Sequence, residues 1–287
     1  MRVAAKHRND WTTSSLAHDG RHYQVRLNSD WVDVVQMGQG DPILLVPGLA
    51  GGWKLLAPLA EKLARTYQVT IPGLRGDFFP LGTSRGVEVS DLANDLAGLI
   101  DRMGLERPAV FGVSFGGAVA LELAAEHSDK LGALIVQGAE ARFRTTLGAV
   151  IARRVLERFP LPRDNDFVNQ FFNLLYGGKP EPGPLIDFVV ERCWETDQSV
   201  MARRIGMLES FDVSDRLWRI EVPTLVLGGT RDVIVPLARQ RALAAAIPGA
   251  RFAAIEGAGH VGFLTHRAEV IRNVRQHLYY LKHSPSR

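Results

Sequence analysis

The fold of this chain is decided by the stretch Pro108-Ala-Val-Phe-Gly-Val-Ser-Phe-Gly-Gly-Ala-Val-Ala-Leu-Glu-Leu-Ala-Ala125. Its first part, Ala109-Val-Phe111, is a short apolar run with the composition of a buried strand. Its last part, from Ala118 to Ala125, consists of strong helix formers and carries Glu122 as its single charge. The stretch therefore predicts a strand that turns directly into a helix.

The junction between this strand and helix reads Gly112-Val-Ser-Phe-Gly-Gly117, the G-x-S-x-G pattern. Glycines two positions before and after Ser114 remove the Cβ atoms that would collide in so tight a turn. The serine is then expected to take an unusual backbone conformation, with its hydroxyl at the tip of the turn and the amino end of a helix beneath it. We interpret Ser114 as a nucleophile. The alternative is a Gly-rich turn in which the serine caps the helix.

Composition and charge narrow the class of protein. The 287 residues, of which 46% are hydrophobic, suffice for a large core. The net charge is +3 and the basic residues are scattered among acidic ones, so the pattern does not favour a nucleic-acid partner. No apolar run is long enough to span a bilayer, and no apolar segment follows the charged amino terminus. We therefore expect no membrane span and no secretory signal, and we predict a cytoplasmic location.

The single cysteine, Cys193, excludes an internal disulfide framework and fits a reducing compartment. It lies in Glu191-Arg-Cys-Trp-Glu195, without a second cysteine that would share a metal ion. We expect Cys193 to be a packed, small apolar side chain and not a nucleophile.

Other apolar strands alternate with helices along the chain. The predicted strands are 21–27, 31–37, 43–46, 68–71, 109–111, 133–136, 223–228 and 250–255, and the predicted helices include 54–66, 89–103 and 268–281. This alternation is typical of an α/β fold, with a mostly parallel sheet covered by helices on both faces. Residues before about 20 are polar and aperiodic, and we interpret them as a loosely held arm.

The alternation stops between residues 140 and 217. This segment is helix-like and rich in aromatic groups, and a Pro/Gly-rich break at 177–184 separates two helical pieces. A helical insertion between two strands of a parallel sheet indicates a cap. We therefore predict a core of residues 1–139 and 218–287 and a helical cap of residues 140–217, whose aromatic residues favour an apolar ligand.

A serine nucleophile needs a base, a group that orients the base, and donors for an oxyanion. In open parallel sheets, functional loops lie at the carboxyl ends of the strands. Asp232 follows the strand 223–228, and His260 follows the strand 250–255 in a Gly-rich loop. We expect His260 to be the base and Asp232 to orient it.

Each of these candidates has an alternative role. Asp232 would serve equally as the cap of the following helix, and His260 as a surface or core histidine. Glu140, just past the sixth strand, is a rival orienting acid. The oxyanion donors that we expect are the backbone N–H groups of Leu49, in the Gly-rich loop after the third strand, and of Phe115; the alternative for the loop is a plain turn.

These loops resemble those of the α/β-hydrolases, in particular the capped esterase, C–C hydrolase and haloperoxidase-like group. The resemblance runs from about residue 30 to 282 and is most specific at Gly112-Val-Ser-Phe-Gly-Gly117, Gly228-Gly-Thr-Arg-Asp232 and Gly257-Ala-Gly-His260. The order Ser, Asp, His along the chain is that of this fold. The resemblance implies a triad of Ser114, Asp232 and His260, water as second substrate, no cofactor and no metal.

Two departures from the family pattern concern the loops near Ser114. Relatives usually carry His-Gly after the third strand, where this chain has Pro47-Gly48. They usually carry Pro-Asp-x-Arg-Gly after the fourth strand, where this chain has Pro72-Gly-Leu-Arg-Gly76 with Asp77 past the arginine. The hydrogen bonding of the oxyanion loop is therefore expected to differ. A serine at 114, in place of an aspartate, argues against the dehalogenase and epoxide-hydrolase branches.

Together these features predict a serine esterase. It would cleave carboxylic esters of small to medium apolar molecules through an acyl-enzyme. The same triad would also serve C–C bond, lactone or thioester hydrolysis, or acyl transfer. From a different class, a ligand sensor would keep the pocket without turnover.

Overall fold

The computed structural model describes residues 20–27, 30–75, 86–143, 147–158, 161–162 and 166–283. The predicted amino-terminal arm, the positions Gly76 and Asp77, and the last four residues lie outside the described residues.

Eight strands within the described residues form one sheet, in the spatial order β1-β2-β4-β3-β5-β6-β7-β8. The strands are β1 (Arg21–Leu27), β2 (Asp30–Met37), β3 (Pro42–Val46), β4 (Gln68–Pro72), β5 (Ala109–Val113), β6 (Ala133–Gln137), β7 (Thr224–Gly229) and β8 (Arg251–Ile255). β2 pairs antiparallel with β1 and with β4, and all the other neighbours are parallel. The prediction of a mostly parallel sheet is confirmed.

Ten α-helices are found in the described part of the chain. They are α1 (Gly52–Leu63), α2 (Val89–Arg102), α3 (Phe115–Glu126), α4 (Leu147–Arg158), α5 (Asp166–Tyr176), α6 (Pro184–Trp194), α7 (Gln198–Ser210), α8 (Leu237–Ala246), α9 (Gly262–Thr265) and α10 (Arg267–His283). None of them is both long and apolar enough to cross a membrane.

Helices cover both faces of the central strands, which explains why most positions of these strands are apolar. Successive side chains of a strand point to opposite faces of the sheet. Leu44 and Val110 accordingly pack in the cluster that contains α2 and α3. Their neighbours Leu45 and Phe111 pack in the cluster that contains α1 and α10.

Four helices, α4 to α7, lie between β6 and β7, where the sequence pattern indicated two helical pieces. The predicted Pro/Gly-rich break separates α5 from α6. The ring of Phe172 packs 5.8 Å from that of Phe171 and 5.9 Å from that of Trp194, and Phe172 itself is buried in the cluster around α1. Part of the aromatic content of this segment therefore serves packing.

Candidate active site

Ser114 lies at the turn between β5 and α3 with φ 54° and ψ −119°, a conformation that L-residues adopt only under constraint. A Cβ on Gly112 would lie 2.3 Å from the Gly116 carbonyl oxygen. A Cβ on Gly116 would lie 2.4 Å from the carbonyl oxygens of Val46 and Pro47. The G-x-S-x-G spacing is therefore required by backbone packing. The serine side chain makes no capping hydrogen bond to α3, so the alternative of a helix cap is wrong.

His260 lies between Ser114 and Asp232 and is hydrogen-bonded to both. Its Nε2 is 2.7 Å from Ser114 Oγ, and its Nδ1 is 2.9 Å from Asp232 Oδ2. A carboxylate only accepts hydrogen bonds, so the proton of a neutral ring lies on Nδ1 and leaves Nε2 free to accept from the serine hydroxyl. The structure thus brings the three side chains expected from three separate loops into one hydrogen-bonded chain.

The Asp232 carboxylate is held by backbone and side-chain donors. Its Oδ1 accepts from the N–H groups of Ile234 at 3.0 Å and Val235 at 2.9 Å. Pro236 occupies the N-cap of α8, so Asp232 does not cap that helix. Both Asp232 and His260 are buried, with 6% and 5% of their surfaces exposed, whereas Ser114 is partly exposed.

Gln240 on α8 is a further contact of the carboxylate that the sequence analysis missed. Its Nε2 donates to Asp232 Oδ2 at 3.3 Å and to the Val235 carbonyl at 2.7 Å, and its Oε1 accepts from the Gly138 N–H at 3.2 Å. The signal was present in the sequence, because Gln240 shares the buried face of α8 with Leu243 and Ala244 at helical spacing. A polar residue on such a face needs polar partners.

Glu140, the rival acid, pairs with Arg239 across a 3.1 Å contact. Both ring nitrogens of His260 are already engaged, by Ser114 and by Asp232. The geometry thus favours Asp232 over Glu140 as the residue that orients the ring.

The loop after β3 lies against the serine. A Cβ on Gly48 would be 3.6 Å from Ser114 Cβ. Phe115 is the first residue of α3, where backbone N–H groups have no partner inside the helix. The N–H groups of Leu49 and Phe115 therefore belong to the two chain segments that border Ser114.

The insertion between β6 and β7 meets the same edge of the sheet. The Val261 N–H, next to His260, donates to the Leu175 carbonyl on α5 at 3.2 Å. On the other side, the Gly51 N–H donates to Thr196 Oγ1 at 2.9 Å, between α6 and α7. The insertion thus contacts loops on both sides of Ser114.

Cys193 is buried on α6, and burial raises the pKa of its thiol to about 12. A thiol in that state is a poor nucleophile and a poor metal ligand. Cys193 packs among the apolar side chains of the cluster around α1, as expected. Across the described ranges, no three His, Cys, Asp or Glu side chains are grouped so as to hold a metal ion.

Gly138, at the end of β6, lies directly against the imidazole, with φ +64°. A Cβ there would be 2.9 Å from His260 Cε1, so we expect Gly138→Ala to displace the ring and lower kcat by about tenfold or more. Gly104→Ala is the matched control, because Gly104 has φ +61° with open space around its Cβ position. Both variants are expected to lose about 1–2 kcal/mol of stability from the backbone conformation. Only Gly138→Ala is expected to lose turnover, and equal turnover in the two variants would contradict this reading.

An eight-stranded, mostly parallel sheet with a serine at the tight turn after β5 defines the class of α/β-hydrolase folds. A sequence model of the alpha/beta hydrolase family matches residues 43–273. The chain belongs to the alpha/beta hydrolase family.

Individual relatives cover most of the chain. The pimeloyl-[acyl-carrier protein] methyl ester esterase of Chromobacterium violaceum is 28% identical over 253 residues, which span 85% of this chain and 97% of that protein. The 2-hydroxy-6-oxo-6-phenylhexa-2,4-dienoate hydrolase of Comamonas testosteroni is 27% identical over 245 residues, 78% of this chain and 83% of that one. Among solved structures, a thermophilic esterase from Thermogutta terrifontis has a TM-score of 0.78 at 26% identity, covering 91% of this chain and 99% of that chain.

Proposed function

We propose that this chain is a serine hydrolase of carboxylic esters. The observation that carries the proposal is the hydrogen-bonded chain from Ser114 Oγ through His260 to Asp232. The names of two relatives support it, since one is a methyl ester esterase and another is an esterase.

In this mechanism Ser114 Oγ attacks the acyl carbon while His260 Nε2 takes the hydroxyl proton. Asp232 keeps the other ring proton on Nδ1 and stabilises the imidazolium that forms. The imidazolium then gives its proton to the departing alkoxide oxygen, and an alcohol leaves. Water attacks the acyl-enzyme in the same way, His260 returns the proton to Ser114 Oγ, and the acid is released.

The negative oxygen of each tetrahedral intermediate needs fixed donors. We assign this role to the backbone N–H groups of Leu49 and Phe115. Preorganised donors of this kind are worth about 10²–10³ in kcat each.

The substrate that we propose is a small to medium ester with an apolar acyl or alcohol group. Support comes from the partly buried aromatic residues of α5 and α6, such as Phe171 and Phe188. Phe172 and Cys193 on the same helices are buried in the core cluster, so they serve packing. We place residues 140–217 as the cap of this site, and the cytoplasm stays the predicted location.

Hydrolysis of a C–C bond is the second candidate. The relative from Comamonas testosteroni is named for a 6-oxo dienoate, which offers the serine a ketone carbon in place of an ester carbon. The same triad would attack either carbon.

A substrate panel tests the proposal. The purified chain is assayed with p-nitrophenyl esters from acetate to decanoate, with 2-hydroxy-6-oxo-6-phenylhexa-2,4-dienoate, and with Ser114→Ala as the matched blank. We expect turnover of the short and medium esters that is absent from the blank. Turnover of the dienoate alone would favour C–C hydrolysis. Binding of these compounds without turnover would favour a sensor.

A further inference from the structure

Arg204 on α7 is a buried cation, with 2% of its surface exposed. Its Nη1 donates to the Leu49 carbonyl oxygen at 2.9 Å and lies 3.4 Å from the Gly48 carbonyl oxygen. Its guanidinium carbon is 5.5 Å from the ring centroid of Phe115. One side chain from the insertion therefore contacts both residues to which we assign oxyanion donors.

The first two residues of the loop after β3 have no side-chain hydrogen-bonding groups. Pro47 has no N–H group, and neither Pro47 nor Gly48 has a polar side chain. A buried arginine, in turn, is tolerated only where polar partners compensate its desolvation, and the loop carbonyls are among the partners of Arg204. The loop carbonyls thus accept hydrogen bonds from the buried guanidinium, and the guanidinium holds the loop.

We propose that Arg204 is a positioning residue that sets the direction of the Leu49 N–H toward the oxyanion; this inference rests on the proposed hydrolase function. The Gly48 carbonyl and the Leu49 N–H belong to one planar trans peptide unit, and they point in opposite directions. Restraint of the carbonyl on the side of Arg204 therefore also restrains the N–H on the other side. The Leu49 carbonyl, held at 2.9 Å, fixes the next peptide unit.

The positive charge of Arg204 also favours binding of the oxyanion by the Leu49 N–H. A charged donor on a peptide carbonyl polarises the peptide and strengthens its N–H as a donor. Because Arg204 belongs to the insertion, the oxyanion loop would reach its working geometry only while α7 is docked on it. Thr196 makes a second link of this kind, through the Gly51 N–H.

An oxyanion effect has a recognisable kinetic signature. The donor acts on charge that develops in the transition state, so its loss lowers kcat and leaves KM almost unchanged. It also weakens inhibitors that mimic the tetrahedral state. A trifluoromethyl ketone is such a probe, because Ser114 Oγ adds to its carbonyl carbon and leaves an oxyanion on the former carbonyl oxygen.

The experiment compares Arg204→Met with Arg203→Met in the full chain. Arg203 is the next residue on α7 and its Nη2 donates to Ser199 Oγ, so its loss removes the same charge from the same helix. For Arg204→Met we expect kcat on p-nitrophenyl butyrate to fall by about tenfold to a hundredfold, while KM stays within about twofold of the value for the unchanged chain. We expect the affinity for the trifluoromethyl ketone to fall by a factor similar to that of kcat. For Arg203→Met we expect kcat and the affinity for the ketone to stay near those of the unchanged chain. Arg204→Lys, which keeps the charge and a donor, is expected to recover part of the loss.

Thermal unfolding of each variant shows whether it is folded, and Arg204→Gln replaces Arg204→Met if the latter does not fold. Equal kcat and equal ketone affinity in the Arg204 and Arg203 variants would overturn the inference and leave the hydrolase proposal intact. A rise in KM at constant kcat would overturn it as well, because it would indicate ground-state substrate binding. An unchanged chain that neither turns over an ester nor binds the ketone would remove both proposals.

Discussion

Replacement of Ser114 by alanine is expected to lower kcat on an activated ester by about 10⁶-fold, the scale on which loss of a triad serine acts. Ser114 Oγ is the only heavy atom removed, and its hydrogen-bond partner is His260 Nε2. Alanine keeps the Cβ, so the strain at φ 54° is the same in both chains. We therefore expect the thermal unfolding temperature to change little while turnover disappears.

Covalent labelling provides an independent measurement of the same change. A fluorophosphonate is expected to label the unchanged chain on the peptide that contains Ser114 and to leave Ser114→Ala unlabelled. Ser210→Ala is the control, since Ser210 is exposed and its hydroxyl donates to the Met207 carbonyl. Labelling of another serine in Ser114→Ala, at the rate of the unchanged chain, would contradict the assignment of the nucleophile.

The central strands were predictable from the sequence because each is buried on both faces. Burial of this kind favours apolar residues, so β5 appears as an unbroken apolar run and β6 as an apolar run that ends in Gln137. The candidate triad was predictable for a related reason. Asp232 and His260 follow such strands, and the carboxyl ends of parallel strands share one edge of the sheet.

Helix ends were less predictable, since they depend on backbone conformation and not on periodicity. The first helix was expected at 54–66, whereas α1 spans Gly52–Leu63. It begins directly after Gly51, which has φ 80°, and this left-handed residue allows the chain to enter the helix earlier. The helical pattern in the segment between β6 and β7 is weaker. The sequence indicates two helical pieces there, whereas the structure has four helices.

The partners of the supporting residues could not be predicted, because they are remote in sequence. Gln240 bonds to the Gly138 N–H across 102 positions, and Arg204 bonds to the Leu49 carbonyl across 155. In the sequence, Gly138 is an ordinary glycine after a strand. Only the folded chain shows that a Cβ at this position would collide with the His260 ring. Such requirements arise only when the folded chain brings the partners together.

Asp232→Asn is expected to lower kcat/KM by about 10⁴-fold, or about 5.5 kcal/mol at 1.36 kcal/mol per decade. The hydrogen bonds around the carboxylate explain why an amide of the same shape fails. Oδ1 accepts from the N–H groups of Ile234 and Val235, so an asparagine would keep its oxygen there and turn its NH₂ group toward His260 Nδ1. The ring would then carry its proton on Nε2 and be unable to accept one from Ser114.

Glu140→Gln provides the matched comparison, because it makes the same carboxylate-to-amide change at the rival acid. Glu140 pairs with Arg239, whose side chain is 37% exposed, and a partly exposed pair of this kind contributes about 0–1 kcal/mol. We expect its loss to lower kcat/KM by less than about tenfold, because the bond from His260 Nδ1 to Asp232 is left in place. The measurement is kcat/KM of both variants on one p-nitrophenyl ester, with thermal unfolding run alongside to exclude misfolding. If Glu140→Gln is the more damaging change in chains that are equally folded, the acid of the triad is Glu140 and the role assigned to Asp232 is wrong.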